Sequence, residues 1–214
     1  MYTVIFDLDG TLLDTLDDLM ISVNYAMQTY GLPTRSKEEV RSFIGNGAKN
    51  LIQRSAGAAY TDEILAVFQA HYKEHSADHT RPYDSIMQLL AQLKELGVCV
   101  AVLSNKPDAP TKALIKGYFG DLVQDAQGAD HAKGIMEKPC PDGLFALIKR
   151  LGADKEKTVF VGDSEVDIQT ANNAGLPCIS VTWGFKDRAF LQASGGKIYA
   201  DTPNDIFNYV GERV

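Results

Sequence analysis

Residues 2–6 form a β-branched and aromatic run that predicts a buried strand, and it stops abruptly at Asp7-Leu8-Asp9-Gly10-Thr11. Apolar side chains then recur at Leu16, Leu19, Met20, Val23, Ala26, Met27 and Tyr30. That is helical spacing, and Gly31 and Pro33 end it. Ser36 and Glu39 have the spacing of a capping box that opens a second helix, which Gly45-Asn46-Gly47 breaks. Helical patterns follow over 48–56 and 62–75, and nothing between 14 and 80 reads as a strand. After Pro82 the pattern changes. Asp84 is expected to cap a helix carrying Ile86, Leu89, Leu90, Leu93 and Leu96, closed by Gly97. Strands are predicted at 98–103, ending in Ser104-Asn105-Lys106, and more weakly at 122–124. Others are predicted at 158–161, stopped by Gly162-Asp163, at 178–182 and at 197–200. Helices are predicted over 141–151 and up to about Ala174.

Continuous apolar strands alternating with amphipathic helices predict an α/β fold. The expected core is a Rossmann-like parallel sheet with helices on both faces, built from residues 1–13 and 82–214. Residues 14–81 interrupt the alternation after its first strand and are expected to form an inserted all-helical unit.

Composition narrows the possible partners. The chain has 214 residues, 45% apolar and 23% charged, an ordinary globular balance. Its net charge of −7 excludes a broad nucleic-acid footprint, which needs clustered Lys and Arg. No run approaches the roughly 20 apolar residues that cross a bilayer, so no membrane partner is expected. The N-terminus reads as a core strand rather than a secretory leader. Cys99, Cys140 and Cys178 are odd in number and widely spaced, without a disulfide or metal-ligand pattern. A cytoplasmic protein is expected.

Three polar stops fall at the carboxyl ends of predicted strands: Asp7, Ser104 and Asp163. Open parallel sheets bind ligands at that edge. Asp7 and Asp9 lie close together, and at about 4 Å with an effective dielectric of 20 their repulsion is roughly 4 kcal/mol. Asp163 and Asp167 add to it, so the set calls for a cation or a raised pKa. Mg2+ suits carboxylate oxygens and keeps positions for a phosphate. Ser104 offers a hydroxyl, the backbone N–H groups of Asn105 and Lys106 can face a phosphate, and Lys138 beside Pro139 offers a positive charge. Taken singly, each feature also has an ordinary reading. Asp-Leu-Asp-Gly can be a solvated turn, Asp163 a helix N-cap, Ser104 part of a plain strand-to-helix turn and Lys138 a surface lysine. His71, His75 and His79 recur every four residues, but no third ligand accompanies them, and an exposed helix face is expected.

The ordered set Asp7-Leu8-Asp9-Gly10-Thr11, Ser104-Asn105, Lys138-Pro139 and Gly162-Asp163-Ser164-Glu165-Val166-Asp167 resembles the four motifs of the haloacid dehalogenase-like hydrolase superfamily. The resemblance spans nearly the whole chain, insertion included. Within the superfamily, Asn105-Lys106-Pro107, the stretch 162–175 and Thr182-Trp183-Gly184-Phe185 look like the phosphoglycolate phosphatases.

The resemblance implies an Mg2+-dependent phosphatase acting on a small phosphorylated metabolite, with 2-phosphoglycolate first and pyrophosphate or a sugar phosphate as alternatives. It implies Asp7 as nucleophile and Asp9 as acid/base. Mg2+ would be held by the side chains of Asp7 and Asp163 and the main-chain carbonyl of Asp9, with Asp167 behind them. Ser104, Asn105 and Lys138 would hold the phosphate. The insertion would be a cap, with Gly45, Asn46, Gly47 and Lys49 as candidate specificity groups. An acid at Asp9 argues against a haloacid substrate. A phosphomutase would use the same motifs, and a non-enzymatic phosphoaspartate module would not need Asp9 or Lys138. Cys140 stands where many relatives have an acidic or small residue, which raises the question of oxidation sensitivity.

Overall fold

The computed structural model describes residues 1–45 and 47–214. It divides into two compact units, Met1–Leu12 with Pro82–Val214, and Leu13–Arg81. In chain order the strands are β1 (Thr3–Phe6), β2 (Leu13–Asp14), β3 (Arg81–Pro82), β4 (Cys99–Pro107), β5 (Asp125–Ala129), β6 (Thr158–Gly162), β7 (Cys178–Val181) and β8 (Ile198–Ala200). The helices are α1 (Leu16–Thr29), α2 (Lys37–Phe43), α3 (Gly47–Ala56), α4 (Asp62–His75), α5 (Ile86–Glu95), α6 (Asp108–Phe119), α7 (Asp142–Leu151), α8 (Glu165–Ala174), α9 (Arg188–Ala193) and α10 (Pro203–Gly211).

The larger unit is built on a six-stranded sheet in the order β5-β4-β1-β6-β7-β8. All of its ladders are parallel, with Ile5 opposite Ala101 on one side and Phe160 on the other. Every residue of β1 and β6 is buried, as strands covered on both faces require. One core cluster joins Ile5, Ala101, Leu103 and Phe160 to Leu144 and Leu147 of α7 and to Ala171 and Ala174 of α8. Sequence order and sheet order differ, so β4, β1 and β6 become neighbours although about 150 residues separate the first from the last in the chain.

The smaller unit packs α1 to α4 around Val23, Ala26, Met27, Val40, Ile52, Ile64 and Phe68, all nearly inaccessible. Ser36 and Glu39 form the expected reciprocal cap at the start of α2. The two short strands β2 and β3 pair where the chain enters and leaves this unit.

Three local expectations are corrected. Asp84 does not cap α5; the helix follows Ser85, whose φ of 63° lies in the left-handed region. The strand expected to stop at Leu103 runs on to Pro107, with a register shift between those residues. The strand expected at 122–124 instead forms at β5, while Gly120–Leu122 makes a 3-10 turn. β5 is an edge strand reading Asp-Ala-Gln-Gly-Ala. It lacks the β-branched residues that announce a strand, and its place is set by pairing with β4. Among the described residues, no helix is long and apolar enough to cross a membrane.

Candidate active site

β4, β1 and β6 end side by side, so Ser104, Asp7 and Asp163 come to one edge of the sheet. The Asp7 N–H still donates to Val161 O (2.8 Å), which keeps its backbone in the ladder. Further along the motif Gly10, with φ of 86°, turns the chain out of the sheet. A methyl group on Gly10 would overlap the Asp163 carboxylate, so the turn also needs glycine for space.

Asp7, Asp163 and Asp167 are all buried, and one carboxylate oxygen of each lies within 4.8 Å of the others. Lys138 reaches into this group from the loop between β5 and α7. Its Nζ is 2.7 Å from Asp7 Oδ1 and 2.6 Å from Asp167 Oδ1. Asp163 Oδ2 accepts the Phe185 N–H at 2.6 Å, and Thr11 Oγ1 donates more weakly to its Oδ1 at 3.5 Å. Asp167 Oδ2 accepts from the Ser164 N–H (3.1 Å) and hydroxyl (2.5 Å). Ser164, not Asp163, is the N-cap of α8, which leaves the Asp163 carboxylate turned to the cluster.

The ionisation states follow from this burial. Removal from water pushes the Asp7 carboxyl up to about 7; Lys138 opposes the rise, and Asp167 and Asp9 add to it. Burial likewise raises Asp163 well above the usual carboxylate range, helped by Asp7 and Asp167 and opposed by the Phe185 N–H and Lys138. Burial alone would lower the Lys138 ammonium, but Asp167 and Asp7 outweigh it and hold the group above its ordinary value. Three carboxylates thus face one ammonium. Their oxygen-only donor set and surplus negative charge fit a hard divalent cation, which would restore the ionised state.

Asp9 lies outside this cluster. Its side chain forms an ion pair with Lys106 Nζ through Oδ1, and Ser104 Oγ is 3.5 Å from Oδ2. The two carboxylates of the first motif therefore have different partners: Lys138 for Asp7 and Lys106 for Asp9. The Ser104 hydroxyl also accepts the Lys106 N–H at 3.1 Å. The side chain of Asn105 is engaged with the main chain of Lys138.

Gly45 follows α2, Gly47 opens α3 with φ of 85°, and Lys49 is exposed on α3. Asn46 lies outside the described residues. The histidines serve the helical unit. His71 Nδ1 meets Ser22 Oγ at 2.9 Å, with its ring stacked on Tyr25, and His75 Nδ1 meets Asp78 Oδ2 at 2.8 Å. His79 Nδ1 meets the buried Asp18 at 2.9 Å. Cys140 Sγ donates to Asp142 Oδ2 at 2.9 Å, which raises the thiol pKa and disfavours the oxidation-prone thiolate.

Two contributors escape the sequence reading, the Lys106 ammonium and the Phe185 N–H. Lys106 lies at the carboxyl end of β4 and Phe185 follows that of β7, and this place in the sheet is the signal that marks them. A backbone donor at Phe185 has no side-chain signature of its own.

The family model for haloacid dehalogenase-like hydrolases matches residues 4–181. The phosphoglycolate phosphatase of Mesorhizobium japonicum is 34% identical over 192 residues, covering 86% of this chain and 84% of that protein. The phosphoglycolate phosphatase of Mannheimia succiniciproducens is 36% identical over 192 residues, covering 84% of this chain and 85% of its own. A solved structure from Lactobacillus delbrueckii subsp. bulgaricus, provisionally assigned as a phosphoglycolate phosphatase, is 33% identical. It superposes with a TM-score of 0.92 over 98% of this chain and 99% of that one.

Proposed function

Because the chain belongs to the haloacid dehalogenase-like hydrolase family, we propose that it hydrolyses a small phosphate monoester through an aspartyl-phosphate on Asp7, with 2-phosphoglycolate as substrate. The observation that carries this reading is the division of partners in the first motif. Lys138 bridges Asp7 and Asp167 inside the buried carboxylate group, while Asp9 stands apart on Lys106. One carboxylate can therefore act as nucleophile while the other moves a proton.

An Asp7 oxygen attacks phosphorus as the bond to the leaving oxygen breaks, and Asp9 gives that oxygen its proton. In the second half Asp9 takes a proton from water, the water oxygen attacks phosphorus, and the Asp7–phosphorus bond breaks. Water is consumed, and an alcohol and inorganic phosphate are released. Ser104, Asn105 and Lys138 are assigned to the phosphate side, with the Lys138 charge opposing the negative charge on the phosphoryl oxygens. Asn105 acts there mainly by holding Lys138. Asp7 and Asp163 would hold Mg2+ through their side chains and Asp9 through its main-chain carbonyl, with Asp167 beside them. The bound ion supplies the positive charge that lets the carboxylates and the phosphoryl group share one site. The helical unit is assigned the part of a cap, with Gly45, Asn46, Gly47 and Lys49 as its specificity groups, and closure would exclude water from the first transfer.

A panel of phosphate esters assayed with Mg2+ tests the reading, with 2-phosphoglycolate, pyrophosphate and a sugar phosphate in it. The expected result is the highest kcat/KM for 2-phosphoglycolate and no turnover in EDTA. Isomerisation of the sugar phosphate without phosphate release would point to a mutase instead.

A further inference from the structure

Lys106 occupies a built position. It lies in the extension of β4, within the stretch between Leu103 and Pro107 where the register shifts. Gly128 of β5 lets its backbone come close, since a methyl group there would meet Lys106 O and the backbone of Asp108. Thr111 of α6 donates to Pro107 O at 2.9 Å and more weakly to Lys106 O at 3.4 Å. The Lys106 N–H is held by Ser104 Oγ. The stem of this lysine thus starts from a fixed point, and its side chain, 12% exposed, ends with the ammonium on Asp9 Oδ1.

We infer that Lys106 binds a negative charge on the leaving group, so that the core itself selects substrates whose released alcohol is a carboxylate. The inference rests on the reading of Asp9 as the acid that protonates the leaving oxygen. That acid must come within hydrogen-bond reach of the leaving oxygen. A cation on the same carboxylate is then next to whatever the leaving oxygen carries. In 2-phosphoglycolate the carboxylate carbon is two bonds from that oxygen. An ammonium has three N–H donors, so it can hold Asp9 and a substrate carboxylate together. Lys138 is taken up by Asp7 and Asp167 on the nucleophile's side, whereas Lys106 serves the side where the alcohol departs. Partial burial makes the ion pair stronger than one on an open surface.

The test compares 2-phosphoglycolate with 2-hydroxyethyl phosphate, which has a two-carbon leaving group with a neutral hydroxymethyl group in place of the carboxylate. Wild type, Lys106→Met and Lys106→Arg are assayed on both. Lys106→Met is expected to slow both substrates, because Asp9 loses its partner. Its KM for 2-phosphoglycolate should rise roughly 10- to 100-fold more than its KM for the neutral ester, the worth of one charge-assisted contact. Lys106→Arg should recover most of that difference. Equal losses on the two esters, in an enzyme whose wild type prefers 2-phosphoglycolate, would overturn the inference and leave the proposed function standing. A wild type that shows no preference between them would overturn both.

Discussion

The Asn105 side chain grips the main chain of Lys138 from both sides: the Lys138 N–H donates to Asn105 Oδ1 at 2.7 Å, and Asn105 Nδ2 donates to Lys138 O at 3.2 Å. Adjacent segments of the sheet edge are tied together by this contact, which sets the origin of the lysine that reaches Asp7. Asn105→Ala should destabilise the fold by about 1–3 kcal/mol, because buried main-chain groups lose their partners. It should also lower kcat by about tenfold or more through displacement of Lys138. Urea titration and steady-state kinetics on the same preparation measure both effects, and Asn105→Asp, which keeps the acceptor, should fall between them.

Metal removal should change how stability depends on pH. With Asp7 raised to about 7 in the folded protein and near 3.9 when unfolded, the folded state binds more protons between those values. Metal-free stability is therefore expected to fall as pH rises across that window and to level off above it. Asp163, raised in the same direction, adds to the slope. Thermal melts in EDTA from about pH 5 to 8 should show the decline, and Mg2+ should reverse it most strongly at the upper end. Asp7→Asn should flatten the slope.

The opposite sign is expected in the helical unit. Burial would raise Asp18, but hydrogen bonds from the Thr80 hydroxyl, from the His79 N–H and ring, and from the Thr80 N–H outweigh it and hold the carboxyl below its usual range. Its contribution is present above the unfolded value near 3.9 and is lost as pH falls through the lower folded value. Asp18→Asn should therefore destabilise the protein at neutral pH and shrink the loss of Tm on acidification below about pH 4.

Gly162 ends β6 where a methyl group would strike the Asp167 carboxylate. Gly162→Ala must push Asp167 off Lys138 or bend the strand end. A stability loss of about 1–3 kcal/mol is expected, together with reduced turnover. Denaturation midpoints and kcat provide the check, and wild-type values for both would show that the site is looser than this packing implies.

The strands ending at Asp7 and Asp163 were legible because buried parallel strands are apolar runs cut off by polar residues. The same reasoning brought Ser104 to the edge. β5 was misplaced because its residues have little strand character, and only pairing with β4 defines it. The separate partners of Asp7 and Asp9 were out of reach. Lys106 and Lys138 differ in which carboxylate they meet only through the crossover order of the sheet, and no local pattern encodes that. The grip of the Asn105 side chain on Lys138 was out of reach for the same reason: the contact spans 33 positions in the chain.

The central claim is the covalent intermediate on Asp7, and an acid-quenched reaction tests it most directly. p-Nitrophenyl phosphate, whose leaving group needs little protonation, is mixed with Mg2+ and the Asp9→Asn variant, and the digested protein is mapped for a phosphate adduct. Without its base, the variant should form the aspartyl-phosphate and hydrolyse it slowly, so the adduct should accumulate on the peptide bearing Asp7. Asp7→Asn should give neither adduct nor turnover. Sustained phosphate release by Asp7→Asn would contradict the account.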